Sequence, residues 1–309
     1  MLRISNLNKK YGNCIALSDF NLTIEKGEIF GFVGPNGAGK TTTMKIIAGL
    51  LAADSGTIEI DGVNILKNRK VMKYKIGYMP DFFGVYDNLK VKEYMDFYAS
   101  IYGIMGQKAN TLCDELLDQV DLIEAREQYV DELSRGMKQR LCLARCLIHK
   151  PSLLILDEPA SGLDPRARFE MKNILKNLQS NDMTVLISSH ILPELSEICS
   201  SIGIIEQGSM VVKGSVEDIK AMITNSNLLC IQFTEVGQEV IRLLESHVLI
   251  TNLKIQGNTA CMLFQGEDKE EAALLTNLIM AGARICSFKR EEGNLEQLFL
   301  QITKGGSDV

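Results

Sequence analysis

The sequence predicts an α/β protein: a sheet covered on both faces and carrying a phosphate-binding loop, followed by a small α+β domain. Three observations carry that expectation. The apolar run IFGFV (residues 29–33) leads into a glycine-rich turn and then a helical pattern from Lys40. A second continuous apolar run, LLIL (residues 153–156), ends at Asp157, as expected of a parallel strand buried on both faces. Beyond residue 228 the pattern reads strand, helix, two strands, helix, strand, which is the order of a ferredoxin-like unit.

Composition sets the outer limits. At 309 residues the chain has room for one large domain and a smaller one, because single cores stop growing near ~250–300 residues. Its 46% hydrophobic and 23% charged residues are those of an ordinary soluble globular protein. A net charge of −6 argues against a nucleic-acid partner. The eight cysteines are scattered, with no C-x-x-C pair. Cys142 and Cys146, four apart on one helix face, read as small core residues rather than a disulfide or metal pair. The start MLRISNLNKKYG lacks the apolar run of a signal peptide. No window reaches the ~18–20 apolar residues of a membrane span, so a cytosolic chain that does not itself cross a membrane is expected.

The first element with chemistry is GPNGAGKT, residues 34–41, which fits G-x-x-x-x-G-K-[ST] between a strand and a helix. Glycines let backbone N–H groups turn inward around phosphates, and the helix N-terminus adds its partial positive charge. Lys40 would reach the β- and γ-phosphates, and the Thr41 hydroxyl would ligate Mg²⁺. This is a nucleotide site.

The next informative stretch is YMPDFFGVYD, residues 78–87. Pro80 and Gly84 mark it as a loop, and loops run over the surface. Its apolar cluster of Phe82, Phe83, Val85 and Tyr86 reads as a contact for a partner; the alternative is that these side chains fill a neighbouring core. Residues 94–101 follow as an amphipathic helix.

At the end of the strand 153–156, Asp157 stands where ligands bind in open α/β sheets and can hold the metal shell. Glu158 beside it can polarise the attacking water as general base, a role worth ~10²–10⁴ in rate. With the Lys40 loop, the pair points to ATP hydrolysis.

The segment ELSRGMKQRLCLARCLI (residues 132–148), taken with GPNGAGKTT, LLILDEP, SGLD and SSH (residues 188–190), resembles the nucleotide-binding subunit of an ABC transporter over about residues 2–215. The resemblance implies an ABC ATPase domain over residues 1–218: a mixed, mostly parallel sheet core, an antiparallel β subdomain, and a helical subdomain at about 82–140. A linker at 219–227 and a domain at 228–309 would follow. It implies ATP and Mg²⁺ as cofactors and a head-to-tail pair of such domains sandwiching two ATPs. With one motif set in this chain, the second domain comes from another copy or a paralogue.

Roles carry over by position. Tyr11 matches the aromatic that stacks on adenine. Gly34, Asn36, Gly37, Ala38, Gly39, Lys40, Thr41 and Thr42 match the cradle for phosphates and metal. Ser134 and Gly136 would offer donors to the γ-phosphate across the dimer. Asp164 matches the residue that communicates between the two sites, and His190 the switch histidine at the γ-phosphate. Catalysis would thus rest on Glu158, His190 and Lys40, and the metal on Thr41, Asp157 and Asp81.

Two positions depart from the pattern. The signature is usually LSGGQ, and here Arg135 and Met137 replace the first glycine and the glutamine. Arg135 would either add a cation near phosphate or face solvent. Asp81 stands where the family usually has glutamine, and being shorter it would meet the metal through water. The loop from Asp81 to Tyr86 is also where the family seats a short helix of a separate membrane permease, a helix-in-groove contact that suits an apolar cluster. The chain would then sit on the inner face of the cell membrane through that partner.

After residue 215 the resemblance thins. EEGNLEQLFLQIT (residues 291–303) reads as a terminal helix similar to the close of ABC exporter subunits. The expected function is therefore an ATP-hydrolysing subunit powering export. The alternative is an ATP-gated sensing module outside transport, against which Glu158 and His190 speak.

Overall fold

The computed structural model describes residues 1–82, 84, 88–179, 183–219 and 228–290. The chain divides into two compact units, Met1–Val216 and Glu217–Val309. The first opens with two long strands, β1 (Leu2–Tyr11) and β2 (Cys14–Ile24). β3 (Ile29–Val33) is buried at every position, and α1 (Lys40–Ile47) follows the glycine-rich loop. β4 (Ser55–Ile60) and β5 (Val63–Asn64) complete an antiparallel sheet in the order β2-β1-β4-β5. One face of that sheet is solvated, so β1 buries Leu2 and Ile4 while Arg3 stays exposed between them.

α2 (Arg69–Lys75) and β6 (Ile76–Met79) lead to the helical region: α3 (Val91–Ile101), α4 (Gln107–Gln119) and α5 (Arg135–Leu147). α3 turns Val91, Tyr94, Met95 and Ala99 inward, the spacing of one helix face. Ser134 caps α5, its hydroxyl accepting the Met137 N–H at 3.2 Å. The chain then passes through β7 (Leu153–Asp157), α6 (Pro165–Gln179), β8 (Thr184–Ser189), α7 (Leu192–Ser196), β9 (Ser201–Glu206) and β10 (Ser209–Ser215).

β6, β7, β8, β3 and β9 run parallel, and β10 closes one edge antiparallel, in the order β10-β9-β3-β8-β7-β6. β3 and β7 lie inside this sheet and are buried throughout, which is why they are uninterrupted apolar runs rather than alternating ones. Register matters more than count here. Val33 pairs with Ser189 and Asp157 with Ser188, so β3, β7 and β8 end at one level. That common carboxyl edge is where an open parallel sheet receives ligands.

The second unit contains β11 (Leu228–Phe233), α8 (Gln238–Ser246), β12 (Ile250–Gln256), β13 (Thr259–Phe264), α9 (Asp268–Met280) and β14 (Ile285–Arg290). Its strands form an antiparallel sheet in the order β12-β13-β11-β14, packed on Val240, Leu244, Leu274 and Leu278 of the two helices. Cys142 and Cys146 are buried free thiols, whereas Cys230 and Cys261 form a disulfide. Their separation of 31 residues hides in the sequence what the β11–β13 register places side by side. The terminal helix expected at 291–303 and the linker residues 220–227 lie outside the described residues, as do Phe83, Val85 and Tyr86. Among the described residues, no helix is long and apolar enough to cross a membrane.

Candidate active site

The glycine-rich loop leaves β3 at Gly34 and enters α1 through Gly39. Gly39 has φ 111°, and a Cβ there would stand 2.7 Å from the Ala16 carbonyl oxygen, so both conformation and space require glycine. α1 therefore begins with its free N–H groups turned toward the loop. Lys40 is 6% exposed and donates from Nζ to the Gly34 carbonyl at 2.6 Å and the Pro35 carbonyl at 3.3 Å. Burial pushes its ammonium below the ordinary value, and the charges of Glu158 and Asp157 oppose that shift. A phosphate in the loop offers this cation a stronger acceptor than two carbonyls.

Asp157 and Glu158 sit at the end of β7 and have different surroundings. Asp157 is 1% exposed, and its Oδ1 accepts from the Thr41 hydroxyl at 3.1 Å and the Ser188 hydroxyl at 2.7 Å. The Thr41 hydroxyl and the Asp157 carboxylate form an oxygen-only pair at the mouth of the loop, a donor set that fits Mg²⁺ with water and phosphate supplying its other ligands. Among the described residues no group of three or more His, Cys, Asp or Glu forms a full protein cage.

Glu158 adopts φ 52°, in the left-handed region. Such a conformation in a non-glycine residue costs on the order of 1–3 kcal/mol and persists only where neighbours hold it. They do so on both sides: the Glu158 N–H donates to the Ser188 hydroxyl at 3.0 Å, and the Ser161 N–H donates to the Glu158 carbonyl at 3.0 Å. The turned backbone aims the carboxylate out of the sheet, where the His190 Nδ1–H donates to Oε2 at 2.6 Å.

A cleft of about 440 Å³ collects these groups. Asn36, Gly37, Ala38, Gly39, Lys40, Thr41 and Thr42 form one wall, and Asp81, Glu158, Ser161 and His190 the other. Gly34 and Asp157 stand behind it, holding Lys40 and Thr41. The remaining sequence candidates lie outside this lining. Tyr11 is half exposed with the Lys9 ammonium 5.5 Å over its ring. Ser134 caps α5, and Gly136 packs where a Cβ would meet the Ala167 methyl at 2.7 Å. Asp164 caps α6, accepting the Ala167 N–H at 2.9 Å.

Two residues gain a place that sequence reasoning did not assign. Ser188 bridges Asp157 and the Glu158 backbone, and its signal was the pair of serines closing an apolar strand just before His190. Tyr78, on β6, has a buried hydroxyl without a hydrogen-bond partner among the described residues. Burial raises its pKa, and the charges of Asp157 and Asp81 push the same way. Arg135 is exposed, and its guanidinium donates to the Ser161 carbonyl at 3.0 Å, a contact that sequence reasoning did not assign.

Comparison with known proteins agrees with this geometry. Residues 17–161 match the family model described as ABC transporter. The chain is 33% identical over 310 residues to the linearmycin resistance ATP-binding protein LnrL of Bacillus subtilis, covering 98% of each chain. It is 34% identical over 308 residues to the bacitracin transport ATP-binding protein BcrA of Bacillus licheniformis, covering 99% of this chain and 98% of the other. Among solved structures, cbiO1 of Clostridium perfringens, part of the ABC transporter complex cbiONQ, superposes with a TM-score of 0.65 at 26% identity, over 73% of this chain and 94% of that one. By sequence and by fold, the chain belongs to the ABC transporter family, as an ATP-binding subunit with the ATPase activity of its class.

Proposed function

We propose that this chain powers an exporter, with Glu158 as the general base for ATP hydrolysis. The observation that carries this reading is the Glu158 carboxylate, turned into the phosphate cleft by a left-handed backbone and met there by His190 at 2.6 Å. Lys40 binds the phosphates, and Thr41 and Asp157 hold Mg²⁺, which neutralises phosphate charge when bound. Glu158 takes the proton of the attacking water while His190 orients its carboxylate. Asp81, in the same cleft lining as Lys40, would meet the metal through water. Tyr11 stacks on adenine. A second chain, its signature segment supplying Ser134 and Gly136, closes over the nucleotide. The names of the relatives, linearmycin resistance and bacitracin transport, support export as the direction.

Attachment to the membrane runs through a separate permease. Phe82, 89% exposed, and Asp81 mark the docking face among the described residues; Phe83, Val85 and Tyr86, assigned to the same contact from the sequence, lie outside them. A groove of about 460 Å³ walled by Tyr74, Tyr98 and Tyr102, with Tyr78 of β6 in its lining, would suit a helix-in-groove contact.

Two measurements test the proposal. Glu158→Gln keeps shape and loses the base, so ATP binding should persist while phosphate release falls ~10²–10⁴-fold; full activity would exclude Glu158 as base. A photo-crosslinker at Phe82 in cells should capture a polytopic membrane protein, and capture of soluble proteins alone would remove the chain from transport.

A further inference from the structure

The turn that follows Glu158 is held from outside by a side chain that the catalytic scheme leaves unused. Arg135 opens α5 and is exposed, and its Nη2 donates to the Ser161 carbonyl at 3.0 Å. Its guanidinium fills the space over Gly162, where an added Cβ would come within 2.5 Å of the guanidinium carbon. Gly162 itself has φ 67°. One helical turn on, Gln139, 3% exposed, donates from Nε2 to the same Ser161 carbonyl at 3.3 Å. The Ser161 N–H, in turn, donates to the Glu158 carbonyl at 3.0 Å.

These contacts form one chain of hydrogen bonds, from α5 through Ser161 to the residue whose carboxylate enters the cleft. At its far end α5 packs closely on α6, where a Cβ added at Gly136 would stand 2.7 Å from the Ala167 methyl. Glu158 needs such support, since nothing in its own side chain favours a left-handed backbone. Ser188 holds its N–H from the sheet side, and Ser161, carried by α5, holds its carbonyl from the other.

We propose that Arg135 is a positioning residue for ATP hydrolysis: through the Ser161 carbonyl it holds the 158–162 turn, and so the Glu158 carboxylate, in its working geometry. This rests on Glu158 being the base. Arg135 lies outside the cleft lining and acts through Ser161. Its loss leaves the Gln139 bond in place and loosens the turn without unfolding it. The expected effect is smaller than the ~10²-fold that a 1 Å misplacement brings.

The test compares five full-length chains: wild type, Arg135→Ala, Arg135→Lys, Glu158→Gln and the Arg135→Ala/Glu158→Gln double variant. Steady-state ATP hydrolysis is measured for each, with circular dichroism as the control for folding. Arg135→Ala should lose about tenfold in kcat with the KM for ATP changed less than about twofold, the split expected when a transition-state interaction weakens. Arg135→Lys, which keeps a donor and a charge, should recover about half of the loss or more. In the Glu158→Gln background the same alanine substitution should change the residual rate by less than about twofold, because the two residues act as a unit. A wild-type kcat in Arg135→Ala beside an inactive Glu158→Gln overturns the positioning role and leaves the base assignment standing. A loss confined to KM, or an equal loss in the Glu158→Gln background, places Arg135 at the nucleotide instead and also overturns it. An active Glu158→Gln chain defeats the base assignment on which the inference rests.

Discussion

Ser188 donates its hydroxyl to Asp157 at 2.7 Å across a register that sets the two residues side by side on β8 and β7. The same oxygen accepts the Glu158 N–H at 3.0 Å. One hydroxyl therefore serves a buried carboxylate and the backbone of its neighbour, tying Asp157 and Glu158 to the same side chain.

Replacing that hydroxyl leaves two groups short of a partner. In Ser188→Ala, Asp157 keeps the Thr41 hydroxyl but loses the shorter of its two hydroxyl donors, and the Glu158 N–H loses its acceptor. An orphaned buried polar group costs about 1–3 kcal/mol. Denaturant unfolding should show a loss of that size, and phosphate release should fall roughly tenfold or more as the Glu158 turn loosens. Unchanged turnover in a folded Ser188→Ala chain would separate Ser188 from the reaction.

The left-handed backbone at Glu158 makes a prediction in which stability and activity move apart. Glu158→Ala and Glu158→Gly should both lose ~10²–10⁴ in hydrolysis. Glycine adopts φ 52° without the Cβ penalty, so the glycine variant should unfold about 1–2 kcal/mol later than the alanine variant. If alanine is the more stable of the two, the strain at this position is absent.

His149 gives the fold a dependence on acid. Its Nε2–H donates to the Ile76 carbonyl at 2.9 Å, and its ring stacks on Tyr102 with centroids 4.4 Å apart. Burial pushes its pKa below the ordinary 6.5, against the smaller opposing effect of the Ile76 bond. Above 6.5 the folded and unfolded chains are both mainly neutral at this residue. As pH falls toward the lower folded value, the unfolded chain takes up a proton that the folded chain resists, so stability is lost. His149→Gln should remove this contribution, making the fall in unfolding midpoint between about pH 7.5 and 5.5 smaller than in wild type. An identical slope in both chains would mean that the ring is not held neutral.

In the second unit, the Cys230–Cys261 disulfide closes a loop across β11 and β13. Constraining the unfolded chain in this way contributes about 2–4 kcal/mol. Reductant should lower the melting transition of that unit in wild type and have no effect in Cys230→Ser. A wild-type transition insensitive to reductant would show two thiols there.

Much of this protein is legible in order along its chain. The Lys40 loop is recognisable because its glycines, its cation and its hydroxyl lie within eight residues and act on one ligand. The strands ending at Val33 and Asp157 announce themselves because burial on both faces leaves no polar position to break an apolar run. The same local logic marks Glu158 beside Asp157 and His190 at the close of SSH. What each residue type can do, and that the parts together bind and hydrolyse ATP, is contained in such short segments.

What the sequence by itself determined, then, is the inventory: a parallel strand–loop–helix site, its acids, its lysine and its histidine. Tertiary structure decided the pairings. Ser188 meets Asp157 only because β8 lies beside β7 in that register, and Cys230 finds Cys261 only through the β11–β13 pair. Arg135, which the chain leaves between phosphate and solvent, is turned to Ser161 by the packing of α5 against α6. The physical reason is common to all three. Chemical type and local periodicity are properties of neighbours in the chain, whereas a hydrogen bond or a disulfide across tens of residues depends on how separate strands and helices are brought into contact.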